Sequence, residues 1–260
     1  MEFSPEILAL LALAAFCAGL MDAIAGGGGL LTVPALLLAG ADPVTAVATN
    51  KLQGSFGTAS ATLAFTRAGQ IDWRNAMPLA AIAVFSSVLG GLAVATLPSH
   101  WLGAVVPVLL VAVALWFALS PRFGQIDRPA RVSPAVFALA VVPLIAFYDG
   151  FFGPGAGSFY ILGFAALMGL SGVRAVAQTK LLNLASNSGA LVFFALSGHI
   201  VWAAGLAMGL AAFAGAQLGS RLVLKHGAKL IRPLIVIVCL AVAVRLMSDP
   251  ANPLRALIGV

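Results

Sequence analysis

Ten apolar stretches follow one another along this chain, at about 6–21, 30–39, 44–66, 76–97, 101–119, 132–148, 158–170, 173–197, 201–223 and 230–247. A helix that crosses a bilayer needs about 20 mostly apolar residues at about 1.5 Å each. Two of the stretches, 30–39 and 158–170, are too short for that. Each follows a glycine-rich break, Asp22-Ala-Ile-Ala-Gly26-Gly27-Gly28-Gly29 in one case and Asp149-Gly150-Phe-Phe-Gly153-Pro154-Gly155-Ala-Gly157 in the other. Only 8% of the residues are charged and 62% are hydrophobic. A water-soluble surface carries about a quarter charged residues, so this chain must face lipid instead.

The breaks expose an internal repeat. An offset of 127 pairs Asp22 with Asp149, Gly26 with Gly153 and Gly28 with Gly155. After a two-residue insertion, an offset of 129 pairs Lys51 with Lys180, Phe65 with Phe194, Gly69 with Gly198, Ile71 with Ile200 and Trp73 with Trp202. Charge alternates between matching loops. Arg67 and Arg74 face only His199 in the equivalent loop, whereas the loop with no Lys or Arg around His100 is matched by Arg221, Lys225, Lys229 and Arg232. Opposite charge at equivalent loops is what the positive-inside rule gives for opposite orientation. The sequence therefore predicts an all-α polytopic membrane protein of two inverted-topology repeats, 1–119 and 132–260, joined by a polar linker at 120–131. Each repeat is a Gly-broken helical hairpin plus three spanning helices. Both termini are expected outside, with the Arg67–Arg74, 120–131 and Arg221–Arg232 loops in the cytoplasm.

Irregular backbone at membrane depth persists only where it is buried in protein or lines a wet cavity. Gly26, Gly27, Gly28 and Gly29, with Gly153, Gly155 and Gly157, therefore read either as close-packing points or as bare backbone against a ligand. The helices that restart after the breaks present N–H groups and a positive dipole end, which suits an anion. Lys51 and Lys180 follow within small-residue-rich runs. Asn50, Ser55 and Thr58 accompany the first, and Thr179, Asn183 and Asn187 the second, as candidate substrate donors. Each lysine either faces a cavity or snorkels to the headgroups. Asp22 and Asp149 are coupling or structural acids: proton carriers, or carboxylates that salt-bridge or cap the hairpin tips. Trp73, Trp101 and Trp202 sit at run edges as interfacial anchors. Cys17 and Cys239, inside apolar runs, read as buried, reduced side chains.

Net charge +6 raises nucleic acid as a partner, but the positives sit in short loops between apolar runs and report orientation. No metal-ligand spacing or partnered nucleophile is present in the sequence, so neither a metal site nor an enzyme is expected.

The segment Gly19-Leu-Met-Asp-Ala-Ile-Ala-Gly-Gly-Gly-Gly-Leu-Leu-Thr-Val-Pro34, followed by Ala46-Val-Ala-Thr-Asn-Lys51 and Gly69-Gln-Ile-Asp-Trp73, resembles the TauE/SafE sulfite exporter family. So does the degenerate second copy from Gly153 through Trp202. The resemblance implies a multi-pass transporter of sulfur oxyanions or organosulfonates, with carboxylates as another substrate class, and no cofactor. It implies a cell-membrane location, the inner membrane in a Gram-negative bacterium. The second copy departs by placing Pro154 inside its break, which predicts a stiffer hairpin. The expected function is a secondary transporter of small anions that alternates access around a midplane site at the two breaks. An anion channel is the competing expectation.

Overall fold

The computed structural model describes residues 3–96 and 127–227. The apolar runs at 101–119 and 230–247, with Trp101, Cys239, Lys229 and Arg232, lie outside the described residues. Among those residues the structure is helical, and four helices are long and apolar enough to cross a membrane.

The first half contains α1 (Pro5–Ala25), α2 (Gly29–Leu38), α3 (Pro43–Arg67) and α4 (Trp73–Thr96). The second contains α5 (Pro134–Phe151), α6 (Ala156–Leu167), α7 (Gly172–Ser197) and α8 (Trp202–His226). Local chemistry sets these limits. Ser4, Asp42 and Ser133 cap α1, α3 and α5 with side-chain oxygens that accept from the first-turn N–H groups, and each is followed by a proline. A proline at the first helical position loses only an N–H that would be unpaired there. At the other end α1 stops at Gly26 with φ 80°, a left-handed conformation that costs glycine nothing. A π-helical turn, Phe137–Val141, lies just before Pro143 and absorbs the hydrogen bond that the proline cannot make.

The halves interlock. α1 packs along α8 and α5 along α4, so the opening helix of each half lies on the last described helix of the other. Glycines permit the close approach: a Cβ at Gly19 or Gly215 would strike the carbonyls of Ala212 and Phe16, and one at Gly90 or Gly150 those of Phe147 and Ser87. α3 packs on α8, α7 packs on α4, and α3 and α7 cross at the centre.

Contacts fix the relative directions of the helices. The Val201 N–H donates to Thr49 Oγ1 at 3.1 Å, so the end of α7 meets the start of α3. At the opposite end, one cavity is lined jointly by Asp72 and Asn75 before and in α4, Pro134 in α5 and Arg174 in α7. α3 and α8 run side by side in the same direction, with Leu52 against Gly205, Phe56 against Gly209 and Ser60 bonded to the Phe213 carbonyl. The end that holds the starts of α1 and α3 carries Glu6, Asp42 and His199. The other end carries Arg67, Arg74, Arg128, Arg131, Arg174, Arg221 and Lys225.

Trp73 and Trp202 are half-exposed at the starts of α4 and α8, where an interfacial ring would sit. Cys17 corrects the sequence reading: it is a free thiol on the exposed face of α1, not a buried one.

Candidate functional site

The two glycine breaks meet each other. The Gly26 α-carbon lies against the backbone of Gly157 and Ser158, and a Cβ at either glycine would collide with the other. Ser158 Oγ donates to the Ala25 carbonyl, and a Cβ at Gly29 would lie 3.0 Å from Pro154 Cα. Gly153 and Gly155 adopt φ 99° and 84°, which only glycine takes without strain. Pro154 is held further by Tyr148, whose hydroxyl donates to its carbonyl at 2.6 Å.

Beneath each tip sits an ion pair made across the halves. Lys51 Nζ on α3 donates to Asp149 Oδ1 on α5 at 2.6 Å, and also to the Asp149 carbonyl. Lys180 Nζ on α7 donates to Asp22 Oδ2 on α1 at 3.0 Å, and also to the Asp22 carbonyl. Both lysine side chains are fully buried, so neither snorkels to a headgroup. Each ammonium also donates to a carbonyl in the last turn of a broken helix, and the Asp22 carbonyl accepts from the Gly26 N–H at 2.8 Å besides. Desolvating two such charges is costly, and only good geometry with extra hydrogen bonds recovers that cost. Here both conditions hold twice.

The two pairs differ in their surroundings. Asp149 Oδ2 accepts from Ser186 Oγ, so both of its oxygens are engaged and its side chain is 4% exposed. Both Asp22 oxygens are engaged as well, Oδ2 by Lys180 and Oδ1 by the Gly28 N–H at 3.2 Å, but its side chain is 18% exposed.

A small cavity lies between the tips and the crossing of α3 with α7. Its volume open to the centre of a water-sized sphere is about 40 Å³, room for a few waters. Of the residues expected at the site, Gly26, Gly28, Gly29, Asn50, Thr58, Gly153, Gly157, Asn183 and Asn187 line it, with Asp22 and Asp149. Gly27, Lys51, Ser55, Gly155, Thr179 and Lys180 do not. A Cβ at Gly27 would face Leu30 and Met21, and Ser55 donates back to the Lys51 carbonyl at 2.8 Å within its own helix. Sequence reading missed Gly19, Gln53, Gly54 and Gly57. On α3 the cavity is faced by Asn50, Gln53, Gly54, Gly57 and Thr58, which share one side of the helix. The mixture of amides and glycines at that spacing was the available signal.

The lining is rich in groups that hydrogen-bond. Asn50 Oδ1 is held by Thr32 Oγ1 at 2.6 Å, which leaves its amide N–H groups to other partners. Asn187 Nδ2 donates to the Asn183 carbonyl at 2.8 Å. Asn183 Oδ1 is buried and has no hydrogen-bond partner among the described residues.

Broken hairpins that meet head to head, with buried cross-paired charges and a polar cavity inside a bundle of apolar helices, define a multi-pass membrane protein with an internal polar cavity. Comparison with known proteins carries this to a family. The sequence model described as sulfite exporter TauE/SafE matches residues 11–246, and the chain belongs to that family. A probable membrane transporter protein, ORF9, of a Sinorhizobium species is 50% identical over 98% of this chain and 97% of its own length. The probable membrane transporter YfcA of Escherichia coli K12 is 45% identical over 95% of this chain and 91% of its own. A probable membrane transporter of Haemophilus influenzae Rd is 38% identical over 96% of this chain and 98% of its own. No solved structure matches the chain. The family and its relatives are membrane transporters, which are not enzymes.

Proposed function

We propose that this protein is a secondary transporter of small anions, sulfur oxyanions or organosulfonates in the first place, which alternates access around the cavity between the two glycine breaks. The observation that carries this reading is the meeting of the Gly26–Gly29 and Gly153–Gly157 tips over a polar cavity whose charged groups are already paired. With Asp22 and Asp149 neutralised by Lys180 and Lys51, the remaining field comes from amide and hydroxyl dipoles and from the N-termini of α2 and α6. Those favour an oxyanion. A cavity of only about 40 Å³ supports a transporter rather than a continuous pore.

The antiparallel placement of α3 against α7 supports two inverted repeats, 1–119 and 132–260 with the linker 120–131 between them. The basic end of the bundle is then cytoplasmic and the end with Glu6, Asp42 and His199 is outside. The setting is a cell membrane, the inner one in a Gram-negative organism. In this arrangement the Lys51–Asp149 pair holds the two halves together. Asn50, Gln53, Thr58, Asn183 and Asn187 meet the substrate.

Thermal unfolding of the purified protein with sulfite, sulfate, thiosulfate, methanesulfonate and small carboxylates tests the reading. A sulfur oxyanion or sulfonate should raise the midpoint, since a ligand at 100 times its Kd adds about 2.7 kcal/mol. Gly57→Ser should abolish that rise while folding normally. Its Cβ has room, 3.6 Å from the Ala212 Cβ, and its hydroxyl would fill the cavity. No stabilisation by any anion in the series would overturn the anion reading.

A further inference from the structure

We infer that the two lysine–aspartate pairs do different work: Lys51–Asp149 is a permanent tie, and Asp22–Lys180 is a proton-exchanged pair that admits the anion. The inference rests on the anion reading above. When Asp22 takes a proton, its hold on Lys180 weakens, and the ammonium turns to the anion in the adjoining cavity.

The asymmetry begins in the sequence. Serine 186 of the second repeat corresponds to Gly57 of the first, at the same offset of 129 that pairs the lysines. Ser186 Oγ occupies the second oxygen of Asp149. Gly57 has no hydroxyl to offer Asp22. Likewise Asn183 corresponds to Gly54. On the first repeat Gly19, Gly54 and Gly57 line the cavity, as Asn183 and Asn187 do on the second. Each carboxylate accepts two hydrogen bonds among the described residues, but Asp22 is the more exposed of the two and its bonds are the longer, 3.0 and 3.2 Å against 2.6 Å from Lys51 to Asp149.

Charge accounting then sets the stoichiometry. The charged groups around Asp22 are Lys180 from α7, Asp149 from α5, and Lys51 from α3, which Asp149 already holds. α2 has no titratable side chain, and α6 has only Tyr160. On α8, Arg221, Lys225 and His226 lie at the basic end of the helix and are exposed. The site without substrate therefore sums to zero: two ammonium groups and two carboxylates. A monoanion alone would leave a net buried charge of −1, which a low-dielectric site resists. One proton on Asp22 restores zero. The proton and the anion bind together, and transport of a monoanion carries no net charge.

The test uses methanesulfonate, a monoanion that stays ionised, with the full-length protein in nanodiscs from about pH 5 to about pH 9. Wild-type affinity should fall about tenfold per pH unit over the range where Asp22 is ionised in the unliganded protein, because one proton is taken up with each anion. Binding should draw one proton per anion from a weakly buffered solution, which needs no variant. Asp22→Asn should bind with affinity independent of pH, since its amide takes up no proton. Asp22→Glu should restore the slope. A flat wild-type profile, or a slope that survives in Asp22→Asn, overturns proton exchange at Asp22 and leaves the anion reading standing. No binding by either protein at any pH overturns the anion reading itself, and this inference with it.

Discussion

Removing Lys51 isolates the contribution of the permanent tie. In Lys51→Met the Asp149 carboxylate keeps Ser186 but loses its only cation, while its side chain remains 4% exposed. The Asp149 backbone carbonyl loses its donor as well. Breaking a buried pair from one side costs about 3–5 kcal/mol, because an uncompensated charge stays behind. That is about two to three and a half orders of magnitude in the folding equilibrium. Neutralising both partners, Lys51→Met with Asp149→Asn, removes the stranded charge. The double variant should recover much of the loss, with a coupling energy of about 2 kcal/mol or more. The assay is equilibrium unfolding in detergent micelles of the wild type, both single variants and the double variant. The matching cycle at Lys180 and Asp22 should show a smaller coupling, because Asp22 is 18% exposed and keeps a route to solvent. If Lys51→Met is as stable as the wild type, or if the two single losses simply add, the pair does not tie the halves together.

Other expectations follow from geometry. Single cysteines at Gln70 and at His199, at equivalent positions in the two repeats, should label from opposite sides of the membrane; labelling from one side would contradict inversion. Gly26→Ala should prevent the tips from meeting, since its Cβ strikes Gly157 and Ser158 and its φ of 80° is unfavourable for alanine. The yield of folded, monodisperse protein reads this, and wild-type yield would show that the tips are free to part. The linker at 127–131 is fastened by Asp127, which accepts from the Ser171 N–H at 2.6 Å and from Arg174. The Ser171 backbone bond first, and Arg174 after it, hold the Asp127 carboxyl below its ordinary 3.8. A depressed carboxyl stabilises above its unfolded value and loses that contribution as pH falls through its folded one. Amide exchange at Ser171 should therefore stay slow at pH near neutral and accelerate only below about pH 3.8. Acceleration already at neutral pH would show that the fastening is not made.

Much of the architecture was legible because the bilayer restricts the choices. Two runs too short to span, each after a glycine-rich break, specified the broken hairpins, and the aligned Asp, Lys and Gly-x-Ile-x-Trp positions specified their repetition. Asp22, Lys51, Asp149 and Lys180 stood out because an ionisable side chain inside a span demands a partner. What periodicity could not supply was the partner's identity. Equivalent lysines suggested a shared anion, whereas each Nζ lies on the aspartate of the opposite repeat, an arrangement that depends on how α1 crosses to α8 and α5 to α4. Gln53, Gly54 and Gly57, which line the cavity beside Asn50 and Thr58, went unmarked for a related reason. α3 is buried on nearly all sides among α1, α2, α7 and α8, so no polar–apolar boundary marks the cavity side. Gly54 and Gly57 carry no chemistry of their own, and only the fold shows that they line the cavity.

Counterflow in proteoliposomes distinguishes alternating access to one anion site from a pore. Vesicles loaded with unlabelled substrate anion, the one that stabilises the protein best, should take up the labelled anion faster than unloaded vesicles. Uptake should saturate with external concentration, and Gly57→Ser vesicles should show neither effect. Uptake that rises linearly with concentration and ignores the internal load would mean a continuous pore, and would contradict the account.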